Sequence, residues 1–260
     1  MPTSTYKRLC RALCRAGIAA LLLATPLAHA DGAFGIPFFT AKYILHQYGI
    51  DAAESTISLQ PDGTRIVYTQ RTHAIGFLSL FFKQTIAERS LLAPDTTLPL
   101  PTQFTYDETG GGKNIHARIL FDRKTLRATG TDRKGKPVNV AIEPDTVDFL
   151  SIQLAIIQAV AQHKKRLDFT VVQSADKLNH YHFAYAGTER IHTPMGTLDT
   201  VIVQRFRDHK KVRYDFYLAP ALHYLPVKLT QTKMDNGSTL TLSIQSVHWN
   251  TPANATGNTK

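Results

Sequence analysis

Cysteine is nearly absent from this 260-residue chain: Cys10 and Cys14 are its only two, and both stand within the first thirty residues. Beyond them no disulfide can form, no thiolate can act as a nucleophile, and sulfur cannot ligate zinc. Long apolar runs are missing as well, since none approaches the ~20 residues that a membrane-spanning helix needs. The spacing His-Glu-x-x-His does not occur, nor does the Gly-x-Ser-x-Gly elbow of many serine hydrolases. Gly110-Gly111-Gly112 opens onto a strand-like stretch and not onto a helix, which excludes a phosphate-cradling loop there. Stability must therefore come from a core, and no cofactor or metal is expected.

What the chain does have begins with an export address. Lys7, Arg8, Arg11 and Arg15 form a basic start without an acid, followed by the apolar stretch Ala16 to Thr25, then Pro26 and Ala28-His29-Ala30. This order predicts a secretion signal over residues 1–30, cleaved before Asp31. Neither cysteine follows the apolar stretch, where a lipid-attachment cysteine would stand. Four of the thirty basic residues and none of the twenty acidic ones lie in the signal, so the net charge falls from +10 to +6. Export takes that basic surface away from nucleic acid, leaving anionic lipid head groups, envelope glycans or plain solubility as its use.

Most of the remainder alternates with a period of two. Lys42 to Tyr48, Ser55 to Gln60, Arg65 to Arg71, Gln84 to Leu92, Gln103 to Asp107, Ile115 to Phe121, Val138 to Ile142, Phe169 to Gln173 and Lys177 to Tyr185 read as strands. Pro61-Asp62-Gly63 marks a hairpin turn. Four further runs, Thr197 to Phe206, Val212 to Leu218, Tyr224 to Thr232 and Ser238 to Val247, are joined by Asp208-His209-Lys210, Ala219-Pro220-Ala221 and Asp235-Asn236-Gly237, which predicts an antiparallel meander. One segment breaks the alternation. From Thr146 to His163 the residues Phe149, Leu150, Leu154, Ile157, Val160 and Ala161 recur at helical spacing, with Asp145 or Thr146 as cap and Lys164 and Lys165 at the far end. The small polar stretch 250–260 reads as a disordered tail.

Few residues announce chemistry. His180 and His182 alternate around Tyr181, so they share one face of a strand and two imidazoles could hold a metal with His192; the plainer reading has both on a polar face while Tyr181, Phe183 and Tyr185 turn inward. Glu54, Glu88, Glu189 and Asp215 read as surface or ion-paired carboxylates, because no spacing brings two of them together. Phe34 to Phe39 and Gly76 to Phe82 are dense in aromatic surface without alternation, and suit core, an apolar cavity wall or a membrane contact. Arg123-Lys124, Arg133-Lys134, His163 to Arg166, Arg205, Arg207, Lys210, Lys211 and Arg213 all fall at expected turns or element ends, where they read as solvated charge unless gathered on one rim.

Gly187-Thr188-Glu189-Arg190-Ile191, Thr193-Pro194-Met195-Gly196-Thr197, Leu218-Ala219-Pro220 and Tyr224-Leu225-Pro226-Val227-Lys228 resemble motifs of the exported bacterial proteins grouped as domain of unknown function 3108. Asp148-Phe149-Leu150-Ser151 resembles the opening of that family's central helix, and Phe216-Tyr217 departs from it where a tryptophan is expected. The resemblance spans Tyr43 to Val247 and implies no established activity.

The expected architecture is mainly β: one domain over 31–249, built from a strongly curved antiparallel sheet or incomplete barrel with one central amphipathic helix packed against it. The leading expectation for function is a non-enzymatic periplasmic binding protein for a hydrophobic or amphiphilic envelope component, with walls from Phe77, Leu78, Leu80, Phe81, Phe82, Leu154 and Ile157. Its alternatives are an envelope scaffold engaging a protein or glycan and, last, a hydrolase using His180, His182 and Glu189. Neither nucleic acid nor a membrane span is expected. Protein recovered from the periplasm should start at Asp31 by intact-mass analysis; a mass that retains residues 1–30 contradicts the export reading.

Overall fold

A computed structural model describes residues 32–174, 177–207 and 211–250. The expected signal, the Asp208-His209-Lys210 turn and all of the expected tail except Asn250 lie outside the described residues. Nine strands come before the helix, the first eight being β1 (Phe39–Gln47), β2 (Ile50–Asp62), β3 (Arg65–Ala74), β4 (Thr85–Leu92), β5 (Pro101–Thr109), β6 (Ile115–Asp122), β7 (Arg127–Thr131) and β8 (Pro137–Ala141). The two-residue β9 (Val147–Asp148) leads into helix α1 (Ile152–Ala161). After it run β10 (Leu167–Ser174), β11 (Lys177–Thr193), β12 (Gly196–Arg207), β13 (Val212–Ala219), β14 (Leu225–Lys233) and β15 (Thr239–Trp249).

All fifteen strands join one curved, unclosed sheet in the order β8-β7-β6-β5-β4-β3-β2-β1-β15-β14-β13-β12-β11-β10-β9. The first and last long strands meet at its middle, where β1 pairs antiparallel with β15 from Phe39 opposite Trp249 to Gln47 opposite Leu240. Alternation decides which face is inward: on β2, Ala53, Ser55, Ile57 and Leu59 are buried while the residues between them are half-exposed. The β2–β3 turn closes through Gly63 at φ 60°, a conformation that costs glycine little. The four strands expected near the C-terminus do form a meander, β12 to β15.

Several expectations need correction. β7 was not anticipated, because Arg127-Ala-Thr-Gly-Thr131 offers only Ala128 as a buried apolar group. Gly130 there stands so close to β6 that a Cβ would meet the Arg118 carbonyl oxygen at 2.0 Å. β11 runs on to Thr193, its register shifting between Tyr185 and Gly187. The sheet is also not wholly antiparallel, since β9 pairs parallel with Val171 and Val172 of β10.

The helix differs most from its expected form. It spans Ile152–Ala161 and not Thr146 to His163. The Asp148 carboxylate accepts the backbone N–H groups of Leu150 and Ser151, each at 2.7 Å, which holds a tight turn ahead of α1. Thr146 accepts the N–H of Glu143 at 2.8 Å, so it does not cap α1; Ser151 occupies the N-cap position. Nor is α1 amphipathic. Ile152, Leu154, Ala155, Ile156, Ile157, Gln158, Ala159 and Val160 are all buried, leaving Gln153 half-buried and Ala161 exposed. A helix buried around most of its girth needs walls on several sides. Leu150, Leu154 and Ile157 pack into the core that contains Phe39, Tyr68, Phe104 and Leu225. Ile152, Ile156 and Val160 pack into a second one with Val171, Tyr181, Phe183 and Val203. The sheet thus curls around α1, touching it from its middle and from the β9–β12 arm.

Leu154 is fully buried. Leu154→Ala is expected to cost about 2–5 kcal/mol and Leu154→Asp to abolish cooperative unfolding, as read by thermal melts followed in circular dichroism.

Candidate functional site

Strand pairing gives the curved sheet two unlike ends. At one end lie the β2–β3, β4–β5 and β13–β14 connections; at the other lie the β1–β2, β3–β4, β5–β6, β12–β13 and β14–β15 tips. Helix α1 plugs the first end, where the Gln158 side-chain amide donates to the carbonyls of Phe34 at 3.0 Å and Thr97 at 2.6 Å. Toward the second end the inner face loses its cover. The inward positions there, Leu45, Thr72 and Ile86 on one arm and Leu229, Gln231 and Leu242 on the other, are all half-buried. They form the walls of an open trough.

Its floor is a cavity of about 40 Å³ between sheet and helix, lined by Phe39, Tyr43, Ile57, Tyr68, Phe216 and Leu242 among others. That space suits a few water molecules and not an acyl chain. Gln153, the half-buried residue of α1, joins the floor: the Tyr68 hydroxyl donates to its Oε1 at 3.0 Å, and its Nε2 donates to Gln70 Oε1 at 3.3 Å. The Tyr43 hydroxyl donates to the Pro226 carbonyl at 2.9 Å, tying β1 to β14 beside the same space.

Ionisable groups also face the interior. Glu88 on β4 accepts from the Arg133 guanidinium at 2.5 Å, and that guanidinium lies over the ring of Tyr106 at 3.8 Å and near Phe149 at 5.1 Å. Burial pushes the Glu88 carboxyl above its usual range, and Arg133 opposes the shift. Asp148 is raised too, chiefly by burial, with the N–H groups of Ser151 and Leu150 pulling the other way. Arg205 sits 3.3 Å over the Tyr181 ring, and Arg123 donates to the carbonyls of Pro101 at 2.9 Å and Thr146 at 2.8 Å. These three arginines were expected as solvated charge at turns; they instead serve internal contacts. Lys124, Lys134, Lys164, Lys165 and Arg166 are exposed, as that expectation had it.

The seven residues expected to wall a site are not brought together. Leu154 and Ile157 are wholly in the core. Phe77, Leu80, Phe81 and Phe82 occupy the β3–β4 tip with 56–71% of their surface exposed, and Leu78 is half-buried among them. By contrast Ile36, Phe38 and Phe39 of the other aromatic segment fill the core. His180 and His182 are exposed while Tyr181 and Phe183 are buried; Tyr185 is exposed, contrary to expectation. His182 pairs with Asp168 at 2.6 Å on neighbouring strands, and Glu189 is exposed farther along β11. Among the described residues no group of three or more His, Cys, Asp or Glu side chains is placed to hold a metal. Asp215 accepts from Gln204, Arg213 and Thr230 on the opposite face of the sheet, as a cross-strand anchor. The trough residues Leu229, Gln231, Leu240 and Leu242 escaped the sequence reading. Their alternation marks one sheet face, but nothing local says which end of that face the helix leaves bare.

A second depression, of about 310 Å³ and more open, lies at the end of α1, with Val160 and Val201 beneath and His163, Lys164 and Lys165 around it. His163, Lys164 and Lys165 are exposed to solvent, and the Tyr185 hydroxyl donates to the Lys164 carbonyl at 2.9 Å.

Fold and site together define an open, barrel-like β protein with an internal helix closing one end. The chain belongs to the family described as "Protein of unknown function (DUF3108)", whose match covers residues 39–245. No curated protein matches it. Among solved structures it is similar to a beta-barrel-like protein of domain of unknown function DUF1849 from Brucella abortus, with TM-score 0.54 and 10% identity over 83% of this chain and 98% of that one. A lipoprotein candidate from Parabacteroides distasonis matches at TM-score 0.33 and 10% identity, covering 84% and 100%. A candidate outer membrane lipoprotein-sorting protein domain from Vibrio parahaemolyticus matches at TM-score 0.22 and 9% identity, covering 87% and 90%. The first likeness is one of fold; the other two support no inference.

Asp148 yields a signed prediction. Because its folded pKa is raised, protonation favours the folded state: this stability is present below the ordinary carboxylate pKa and is lost as pH rises through the folded value. Asp148→Asn keeps an acceptor for Leu150 and Ser151 without the charge, so its melting temperature is expected to gain on wild type as pH rises from about 5 to 8. Asp148→Ala, which strands two buried N–H groups, should cost about 2–5 kcal/mol at any pH.

Proposed function

We propose that this is a non-enzymatic periplasmic binding protein for an amphiphilic cell-envelope component, held with its apolar part against the uncovered half of the trough. The single observation that carries this is the one-ended plug: α1 is consumed by the core at one end, while Leu45, Leu229 and Leu242 at the other stay half-buried with no helix above them. Covering the rest of one such half-buried leucine is worth about 1 kcal/mol, which an apolar chain lying along the walls would supply. The ligand lies in the open half, above the small floor cavity and not inside it. Gln70, Gln231 and the Glu88–Arg133 pair place polar partners along the same face for a head group. Periplasmic location rests on the export address over residues 1–30.

The scaffold alternative draws less support. Its docking strand would be a sheet edge, yet the edges are β8, with five residues and Pro137 at its start, and β9, with two. Short and proline-blunted edges discourage strand addition. A hydrolase finds no cleft that gathers His180, His182 and Glu189.

Mass spectrometry of organic extracts from protein purified out of the periplasm should show a reproducible lipid or other amphiphile. Displacement of cis-parinaric acid should report the same site, and Leu229→Asp with Leu242→Asp should weaken it at least roughly tenfold while the fold persists. A protein that neither carries an extractable amphiphile nor binds the probe overturns this function.

A further inference from the structure

The open end of the trough is framed by exposed apolar side chains that the core does not use. Phe77, Leu80, Phe81 and Phe82 project from the β3–β4 tip, with the rings of Phe77 and Phe81 in edge contact at 4.9 Å. Tyr48, 77% exposed, and Ile50, 52% exposed, stand at the neighbouring β1–β2 tip, which meets the first through the Ile75 N–H donating to the Ala52 carbonyl. Across the mouth, Phe206 and Met234 are exposed at the β12–β13 and β14–β15 tips, tied by the Met234 N–H to the Lys211 carbonyl at 2.7 Å. Eight of the eleven exposed large hydrophobic residues among those described thus sit at one end of one sheet. Random surface leucines and phenylalanines need no explanation, but this clustering does.

The same end of the sheet carries an excess of basic charge, with Glu108 at the end of β5 taken up by Gln84 and Tyr106. Lys83, Lys113, Lys134, Lys136, Lys211 and Lys233 are exposed there, on the β3–β4, β5–β6, β7–β8, β12–β13 and β14–β15 connections that share this end of the sheet. Against these stands Asp235, while Asp132 turns its carboxylate back onto the N–H groups of Lys134 and Lys136 at 2.9 Å. Asp51, just inside the β1–β2 tip, is held by His46 at 2.5 Å. The plugged end has a different character. Asp62, Asp95, Glu143 and Asp145 mix there with Arg65, Lys164, Lys165 and Arg166, and only Leu126 and Tyr185 of the exposed large hydrophobics lie there among the described residues.

We infer that the unplugged rim is a docking surface for a phospholipid bilayer with anionic head groups, on which Phe77, Phe81 and their neighbours enter the interface while the lysines meet lipid phosphates. Protruding aromatic side chains ringed by lysines match the layering of a bilayer surface, apolar below and anionic at head-group level. The apolar residues come from separate tips, spaced along the rim by pairs of strands, and not from one continuous strand or helix face such as a peptide would line. Docking there points the mouth of the trough at the membrane. The surface itself stands apart from the proposed ligand and extends that reading by naming where a ligand would be exchanged.

The test is sedimentation of the full mature protein with vesicles of phosphatidylethanolamine and phosphatidylglycerol, with phosphatidylcholine vesicles alongside. Wild type should sediment with the first, less so in high salt, and weakly with the second. Phe77→Ser with Phe81→Ser should lower partitioning at least roughly tenfold, and Lys83→Gln with Lys113→Gln by roughly fivefold per lysine, all with unchanged melting temperatures because these side chains are exposed. Wild type left in the supernatant, or rim variants that sediment as well as wild type, would overturn the inference. So would rim variants that lose a protein partner in crosslinking while keeping full vesicle binding, since the rim would then serve a protein. Leu229→Asp with Leu242→Asp should still sediment. Vesicle binding without any bound amphiphile would remove the carrier function and leave the docking surface standing.

Discussion

A ten-residue helix with almost no polar side has to be buried on nearly every side, and that demand organises the molecule. One flat sheet face covers only one side of such a helix. The fifteen-strand sheet therefore curls, bringing its middle strands against Leu154 and Ile157 and its β9–β12 arm against Ile152, Ile156 and Val160. The right-handed twist of strands makes such curling inexpensive over so many of them. The helix is too short to fill the whole barrel, about 15 Å at 1.5 Å per residue, whereas strands such as β2 and β12 extend well past it. Covered and uncovered halves of one concave face follow from that mismatch of lengths.

Polar groups fix where the helix stops. Asp148 holds the turn before it, Gln158 anchors its far part to Phe34 and Thr97, and Gln153 reaches Tyr68 and Gln70 at the boundary between plug and trough. Apolar contacts alone would tolerate sliding along the sheet, because leucine and isoleucine repack with little directional preference. Hydrogen bonds to buried partners do not, since each one broken strands a group away from water. Glu88 and Arg133 act alike on the β4 to β7 side, with the guanidinium clamped between a carboxylate and the Tyr106 ring. Burial and the bond to Glu108 push the Tyr106 phenol up to about 12, keeping it a neutral donor at ordinary pH.

The functional reading rests on polarity between two ends. One is closed by α1 and mixed in charge; the other is open, aromatic and edged with lysine. A barrel closed at both ends would store a ligand, and one open at both would release it into water. Opening at one end only, toward a surface that apolar and basic groups prefer, suits exchange of an amphiphile with a membrane.

Much of the β architecture was legible in the sequence because a period of two, broken by turn residues, is a local signal: the β2–β3 hairpin and the β12–β15 meander are examples. β7 was not, since Ala128 is its one buried side chain and its pairing brings Gly130 close against the Arg118 carbonyl. The Phe77 to Phe82 run was visible as aromatic surface, but whether it filled the core or faced water depended on strands β1 to β4 placing it at a tip. Helical spacing identified α1, while its true bounds depended on the Asp148 turn ahead of it, and Val147 and Asp148 are held in place by pairing with Val171 and Val172 of β10, 24 residues farther along the chain. Sequence by itself therefore determined strand periodicity, the single helix, the lack of thiols beyond residue 30 and the excess of basic charge, all properties read without any distant contact. Tertiary structure alone decided which end of the sheet the helix plugs, that Glu88 meets Arg133, and that aromatic residues from distant tips share one rim, because those depend on which strands pair across the middle of the chain.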